Sequence, residues 1–143
     1  MPALSHPELP TSGSLPLSEP VDVVKCRQAV RQLTTQLHFS VIEQTMMVTA
    51  ASEIARNTMT HGGGGRFSWD VAVAGLRTGA RLTFEDAGPG IVDVPRAMTD
   101  GWSSARSLGL GLPGAKRLVN EFEIESVVGQ GTRVVLTRWR KQP

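Results

Sequence analysis

Glu85-Asp86-Ala87-Gly88-Pro89-Gly90-Ile91 is the stretch on which the reading of this chain turns. Arg81 to Glu85, just before it, alternate in the manner of a strand, so Asp86 falls at a strand's end. Two glycines then flank Pro89. They lack a Cβ and accept left-handed dihedrals, while the proline stiffens the turn between them. An acid at a strand terminus, followed by backbone that passes close to a ligand, suits the holding of a flat polar base. Taken alone, the stretch is equally an ordinary Asp-Gly loop. Two further segments weigh on the choice: Glu53-Ile54-Ala55-Arg56-Asn57 upstream and Gly109-Leu110-Gly111-Leu112-Pro113-Gly114 downstream.

The upstream segment lies in a helix expected from about Ser40, its N-cap, to Thr60. Ile42, Met46, Met47, Val48, Ala50, Ala51, Ile54 and Ala55 make much of its circumference apolar, so it lies against a sheet. Glu53, Asn57 and His61 share one stripe at i, i+4 and i+8. A solvated face is the bland explanation. Against it, polar groups set between Ala50 and Ile54 need partners, because burying them unpaired costs about 1–3 kcal/mol. The stripe lacks the two-His spacing of a zinc site. Gly62 to Gly65 then end the helix in a mobile or ligand-hugging turn.

Downstream, Gly109-x-Gly111-x-x-Gly114 matches the dinucleotide fingerprint, with Glu125 where an acidic ribose ligand would stand. That motif requires a strand feeding it and a parallel sheet after it. Trp102 to Leu108 is not strand-like, and the 29 residues after Gly114 are too few for further βα units. The simpler physics remains: a glycine-rich turn opening a helix presents N–H groups and a positive dipole end to phosphate.

The rest of the 143 residues supplies a scaffold. Apolar content of 40% and charged content of 20% suit a globular domain. A net charge of +2 with scattered basic residues argues against nucleic acid, and Arg138, Arg140 and Lys141 read as a solvated basic tail. No run reaches the ~18 apolar residues of a membrane span. The single cysteine, Cys26, excludes an intrachain disulfide and fits a reducing compartment. The N-terminus lacks the order of a secretory signal, so a cytoplasmic location is the expectation. Residues 1–13, rich in Pro and Ser, read as a flexible arm before a domain over 14–140. Ser14 to Leu17 reads as an edge strand, where Pro16 is tolerated. A packing helix from near Ser18 carries the stripe Val23, Cys26, Val30, Leu33 and Leu37, with His38 on the surface or as a cap at its end. Phe67, Trp69, Val71 and Val73 mark a half-buried strand, and Leu82 and Phe84 its antiparallel neighbour. From Ile91 to Leu108 only a helical turn near Val94 to Met98 interrupts a long lid or binding segment. A third helix opens at Pro113 and runs to about Asn120. Two strands, Phe122 to Val127 and Thr132 to Trp139, flank a Val128-Gly129-Gln130-Gly131 hairpin. This order predicts an α+β two-layer sandwich, its sheet mixed but mostly antiparallel and its helices on one face.

Together the three segments resemble the nucleotide-binding boxes of the GHKL ATPase/kinase superfamily. Glu53-x-x-x-Asn57 resembles its N box, Asp86-x-Gly88-x-Gly90 its G1 box and Gly109-x-Gly111 its G2 box, with Gly131-Thr132 at the family's late Gly-Thr pair. Within it, Asp100-Gly101-Trp102-Ser103 and Gly109-Leu110-Gly111-Leu112-Pro113-Gly114-Ala115-Lys116-Arg117-Leu118 are similar to the RsbT-like serine kinases of bacterial partner-switching modules. The resemblance covers roughly residues 14–140 and implies the Bergerat ATP-binding fold. It implies ATP and Mg²⁺ as cofactors, with Asp86 accepting from the adenine amino group and Thr132 supporting it. Asn57 would give Mg²⁺ an oxygen, and Gly109 and Gly111 would offer N–H groups to phosphates. Glu53 would be the base that orients or deprotonates the acceptor hydroxyl. Gly88, Gly90, Ile91 and Leu110 complete the implied ATP-binding set. Arg106 stands one position off the spacing at which related kinases place an arginine for the terminal phosphate.

The implied activity is ATP-dependent phosphorylation of a serine in a STAS-domain antagonist. Once released from that antagonist, the kinase would bind and activate a PP2C-type phosphatase, within or beside a stressosome complex. The alternative from the same boxes is a nucleotide-gated anti-sigma factor that sequesters a sigma subunit. A third reading, a histidine-kinase catalytic domain, requires a phosphoacceptor in another protein.

Overall fold

The computed structural model describes residues 11–99 and 111–141. In chain order they form β1 (Gly13–Leu17), α1 (Pro20–Gln36), α2 (Val41–Thr60), β2 (Gly65–Ala74), β3 (Arg77–Asp86), α3 (Val94–Ala97), α4 (Gly111–Arg117), β4 (Glu121–Val127) and β5 (Gly131–Trp139). The strands make one sheet in the order β1-β2-β3-β5-β4. Every pairing in it is antiparallel. β1 is an edge strand, and Pro16 stands there opposite Arg66 without interrupting an inner ladder. The α+β sandwich is as expected from the sequence; no βαβ crossover occurs among the described residues, so the dinucleotide fingerprint has no sheet to serve.

Register explains which face the helices cover. Phe67 pairs with Phe84, and Phe84 with Val134; one step along, Trp69 pairs with Leu82 and Leu82 with Leu136. These side chains share a face, and Phe67 and Phe84 are tilted rings 5.0 Å apart. Across from them α2 presents Met47, Ala50, Ala51, Ile54 and Ala55, all buried. The alanines let the helix lie close to the sheet, and each fully buried Phe or Ile contributes about 1.5–3 kcal/mol. α1 adds Cys26, Val30 and Leu33 to the same core. The opposite face carries paired charges, such as Arg81 Nε donating to Asp70 Oδ1 at 2.9 Å and Arg133 near Glu85 and Glu125.

Several expectations change. Ile42 is 69% exposed, because the first turn of α2 turns the capping-box Glu43 inward instead; Ser40 Oγ accepts from Glu43 N at 3.1 Å. Val73 is exposed at the outer end of β2, beyond the helices' cover. The helix opened by the glycine turn ends at Arg117, not Asn120, since Asn120 is already tied to β5: its N–H donates to Thr137 O and its Oδ1 accepts from Trp139 N at 2.7 Å. Arg138 does not belong to a solvated tail. It is the penultimate residue of β5, with Nε 3.9 Å from the buried Glu43 carboxylate and Nη1 donating to Leu118 O at 2.9 Å. Leu37 is the C-cap of α1, and His38 follows it on the surface, in the left-handed region at φ 62° with its N–H donating to Thr35 O at 3.0 Å. Of the arm, residues 1–10 lie outside the described residues, and β1 starts one residue earlier than expected.

At the entry to α1 the Asp22 carboxylate accepts from Ser18 N at 2.8 Å and Glu19 N at 2.9 Å. These backbone bonds hold its pKa below the usual carboxylate value. A depressed native pKa stabilises above the unfolded-state value, about 3.9, and that contribution is lost as pH falls through the native one. Asp22→Asn is therefore expected to melt below the wild type at pH 7, and the gap is expected to close below about pH 3.9; a gap constant down to pH 2.5 would count against it. Burial pushes the Cys26 thiol up to about 12, so a thiol reagent should label it only upon unfolding, as absorbance of the released chromophore would report.

Candidate nucleotide site

The site forms where three chain ends meet: the C-terminal end of α2, the loop leaving β3, and the start of α4. α2 brings Glu53 and Asn57 one turn apart on a half-buried stripe. Its last turn closes on Asn57, whose carbonyl accepts from His61 N at 2.8 Å and Gly62 N at 3.3 Å. His61, the third member of the stripe, is an exposed C-cap residue. Glu53 is 17% exposed at its side chain, and its Oε1 lies 3.2 Å from the guanidinium of Arg56, which is 46% exposed.

Asp86 ends β3 with its carboxylate on the covered side of the sheet, in step with Phe84. Its Oδ1 accepts from Gly88 N at 2.9 Å and from Thr132 N at 3.3 Å. Among the described residues no hydrogen bond engages Oδ2, leaving that oxygen for a ligand. Thr132 therefore supports Asp86 through its backbone N–H, while its hydroxyl pairs with Ser126 Oγ at 2.8 Å.

The loop after Asp86 is fastened to the β4–β5 hairpin. Ile91 N donates to Ser126 Oγ at 2.7 Å, and Gly129 N donates to Pro89 O at 2.9 Å. Gly90, at φ 77°, runs so close to the hairpin that an added Cβ would stand 2.9 Å from Val127 C. Ser126 was missed by the sequence reading. Its signal was the hairpin itself: pairing across Val128–Gln130 places Ser126 opposite Thr132.

Gly111 opens α4 and meets α2: the Asn57 amide nitrogen lies 3.6 Å from where a Cβ on Gly111 would be. Thus Asn57, Gly111, Asp86, Gly88 and Thr132 surround one corner of the sandwich, with Glu53 a turn back along α2 and Gly90 and Ile91 in the bordering loop. Arg106, Gly109 and Leu110, and the Asp100-Gly101-Trp102-Ser103 stretch, lie outside the described residues. Gly62, the other residue the sequence reading did not single out, connects the two halves. It bonds back to Asn57 and packs directly under the Asp86 side chain.

The chemistry of this corner suits a nucleotide. A carboxylate oxygen without a hydrogen-bond partner among the described residues faces it from one side, and a glycine-opened helix from the other. Among the described residues no three His, Cys, Asp or Glu side chains converge. A lone amide, Asn57, fits a hard cation whose other ligands are waters and phosphates.

Comparison with known proteins agrees. Residues 17–138 match the histidine kinase-like ATPase domain family. The chain is 39% identical over 118 residues to the serine/threonine-protein kinase RsbT of Bacillus subtilis (strain 168), covering 82% of this chain and 89% of that one. It is 32% identical over 117 residues to the anti-sigma F factor of Clostridium novyi (strain NT), covering 78% and 82%. Its fold superposes on the crystal structure of the RsbU and RsbW domains of a Mycobacterium tuberculosis protein with a TM-score of 0.62 at 21% identity, covering 92% of this chain and 33% of that longer one. The chain belongs to the histidine kinase-like ATPase family of GHKL type, on the branch of the RsbT-like serine/threonine-protein kinases.

Proposed function

We propose that this protein transfers the terminal phosphate of Mg-ATP to a serine of a STAS-domain antagonist and, once released from it, binds and activates a PP2C-type phosphatase. The observation that carries the enzymatic part is the meeting of the α2 stripe with the glycine turn, Asn57 against Gly111. It brings an amide suited to a hydrated cation to a helix start suited to phosphate. In this reading Asp86 receives the adenine amino group on Oδ2, Thr132 N and Gly88 N holding Oδ1. Gly109, Leu110 and Gly111 offer backbone N–H groups to the phosphates, Gly90 and Ile91 border the base, and Arg106 approaches the terminal phosphate. When bound, Mg²⁺ would neutralise phosphate charge, with Asn57 as its protein ligand. Glu53 acts as general base, orienting the serine hydroxyl and accepting its proton.

The 39% identity to a serine/threonine-protein kinase supports this reading over a purely sequestering role. A second reading, a nucleotide-gated anti-sigma factor, has the Clostridium novyi relative in its favour. Purification of the tagged protein from its own cells separates them. A STAS protein and a phosphatase in the eluate support the first reading, and a sigma subunit supports the second. In the absence of a candidate membrane helix among the described residues, we propose that it works in the cytoplasm, in contact with a stressosome complex.

Two substitutions separate binding from chemistry. Asp86→Asn replaces an acceptor with an amide that can present a competing donor. Losing a charged hydrogen bond of about 1.5–3 kcal/mol should weaken ATP roughly tenfold to a hundredfold by calorimetry. Glu53→Gln keeps the shape and removes the base, so ATP affinity should hold while phosphotransfer falls about 10²–10⁴-fold. Normal transfer by Glu53→Gln, assayed with Mg-ATP and the cognate antagonist, would remove Glu53 from the mechanism.

A further inference from the structure

Gly62 has a place in the site that its position in a run of four glycines conceals. Gly63 and Gly64 have positive φ values of 75° and 104°, which explains them as turn residues. Gly62 does not fall in that region, so its backbone conformation is open to any residue. What it lacks room for is a side chain. A Cβ added to Gly62 would lie 2.6 Å from the Asp86 Cβ and would overlap the Asp86 Cγ and Oδ2 more closely still. Its own backbone is equally confined: a Cβ on Gly88 would stand 2.6 Å from the Gly62 carbonyl oxygen. Gly62 N, in turn, is bonded to the carbonyl of Asn57.

We infer that Gly62 is a positioning residue for base recognition: its bare α-carbon is the surface on which the Asp86 carboxylate rests, and it fixes where Oδ2 is presented. The inference rests on the proposed role of Asp86 in receiving the adenine amino group. Asp86 cannot yield by rotating freely, because Oδ1 is held by Gly88 N and Thr132 N. A methyl group at position 62 therefore breaks those two bonds or lifts the loop away from α2. Either way Oδ2 leaves its place, while the phosphate end of the site, built from α2 and the start of α4, keeps its backbone.

The consequence is specific to the base. ATP carries a 6-amino group that an acid can receive, whereas ITP carries a 6-oxo acceptor at that position and a proton on N1, with the same ribose and triphosphate. Calorimetric titration of the wild type, Gly62→Ala and Asp86→Asn with both nucleotides, as their magnesium complexes, tests the inference. Gly62→Ala is expected to weaken ATP by about the same tenfold to hundredfold as Asp86→Asn. It should change ITP less than about threefold, so that the ATP/ITP preference collapses. Equal weakening of both nucleotides, or unchanged ATP binding, overturns the positioning role. If Asp86→Asn itself leaves the preference intact, it is the reading of Asp86 that fails, and the role of Gly62 with it. Should Gly62→Ala melt too low for titration, the double variant Gly62→Ala/Asp86→Gly decides. Removal of the Asp86 side chain should restore the melting temperature of Asp86→Gly alone; no recovery places the conflict elsewhere and overturns the inference.

Discussion

The placing of one carboxylate governs the architecture of this corner. Asp86 carries a carboxylate at the margin of a packed face, and its Oδ1 is satisfied by two backbone N–H donors, one from the loop after β3 and one from the start of β5. Charge-assisted bonds of that kind are worth about 1.5–3 kcal/mol each, enough to fix the loop only if the chain can come near enough to make them. That nearness is supplied by missing side chains. Gly62 lies beneath the carboxylate, Gly88 against the Gly62 backbone, and Gly131 against the Asp86 and Ala87 backbone. Any Cβ among the three would push the donors outward. The glycines here serve contact more than flexibility.

The scaffold holds that corner through elements far from it. Glu43 lies in the first turn of α2, Arg138 is the penultimate residue of β5, and Leu118 follows α4; the Arg138 guanidinium faces the first and bonds the last. With the two side chains 7% and 14% exposed, desolvation offsets most of the attraction between them, so the pair is weak evidence for stability. Its geometric effect is the firmer one. One cation sets the spacing of the two helices whose other ends carry Asn57 and Gly111.

Much of this was legible from the chain alone because it is local. The capped start of α2 at Ser40, the β4–β5 hairpin and the edge position of the Pro16 strand each follow from a few neighbouring residues. The strands' inner face follows from alternation at Phe67, Trp69, Leu82 and Phe84. What escaped was long-range or masked by composition. Arg138 looked like part of a basic tail because its partner, Glu43, is 95 positions away in sequence and reads as an ordinary capping residue. Gly62 disappeared into a glycine run in which Gly63 and Gly64 are explained by turn conformation and Gly65 by its close approach to the Glu85 carbonyl. Ser126 carries no motif of its own; only the strand register sets its hydroxyl between Thr132 and Ile91.

The ion pair between Glu53 and Arg56 bears on whether Glu53 is available for chemistry. A carboxylate tied up by a strong partner would be a poor base, and this one has a guanidinium 3.2 Å away. Magnitude settles the point. Arg56 is nearly half exposed, the pair spans i to i+3 on one helix, and such pairs contribute about 0.2–1 kcal/mol. The hundredfold rate effect assigned to a general base corresponds to about 2.7 kcal/mol. An incoming hydroxyl that hydrogen-bonds the carboxylate can therefore displace the guanidinium at small expense. In the proposed mechanism Arg56 would keep the Glu53 side chain oriented along the helix until the hydroxyl arrives.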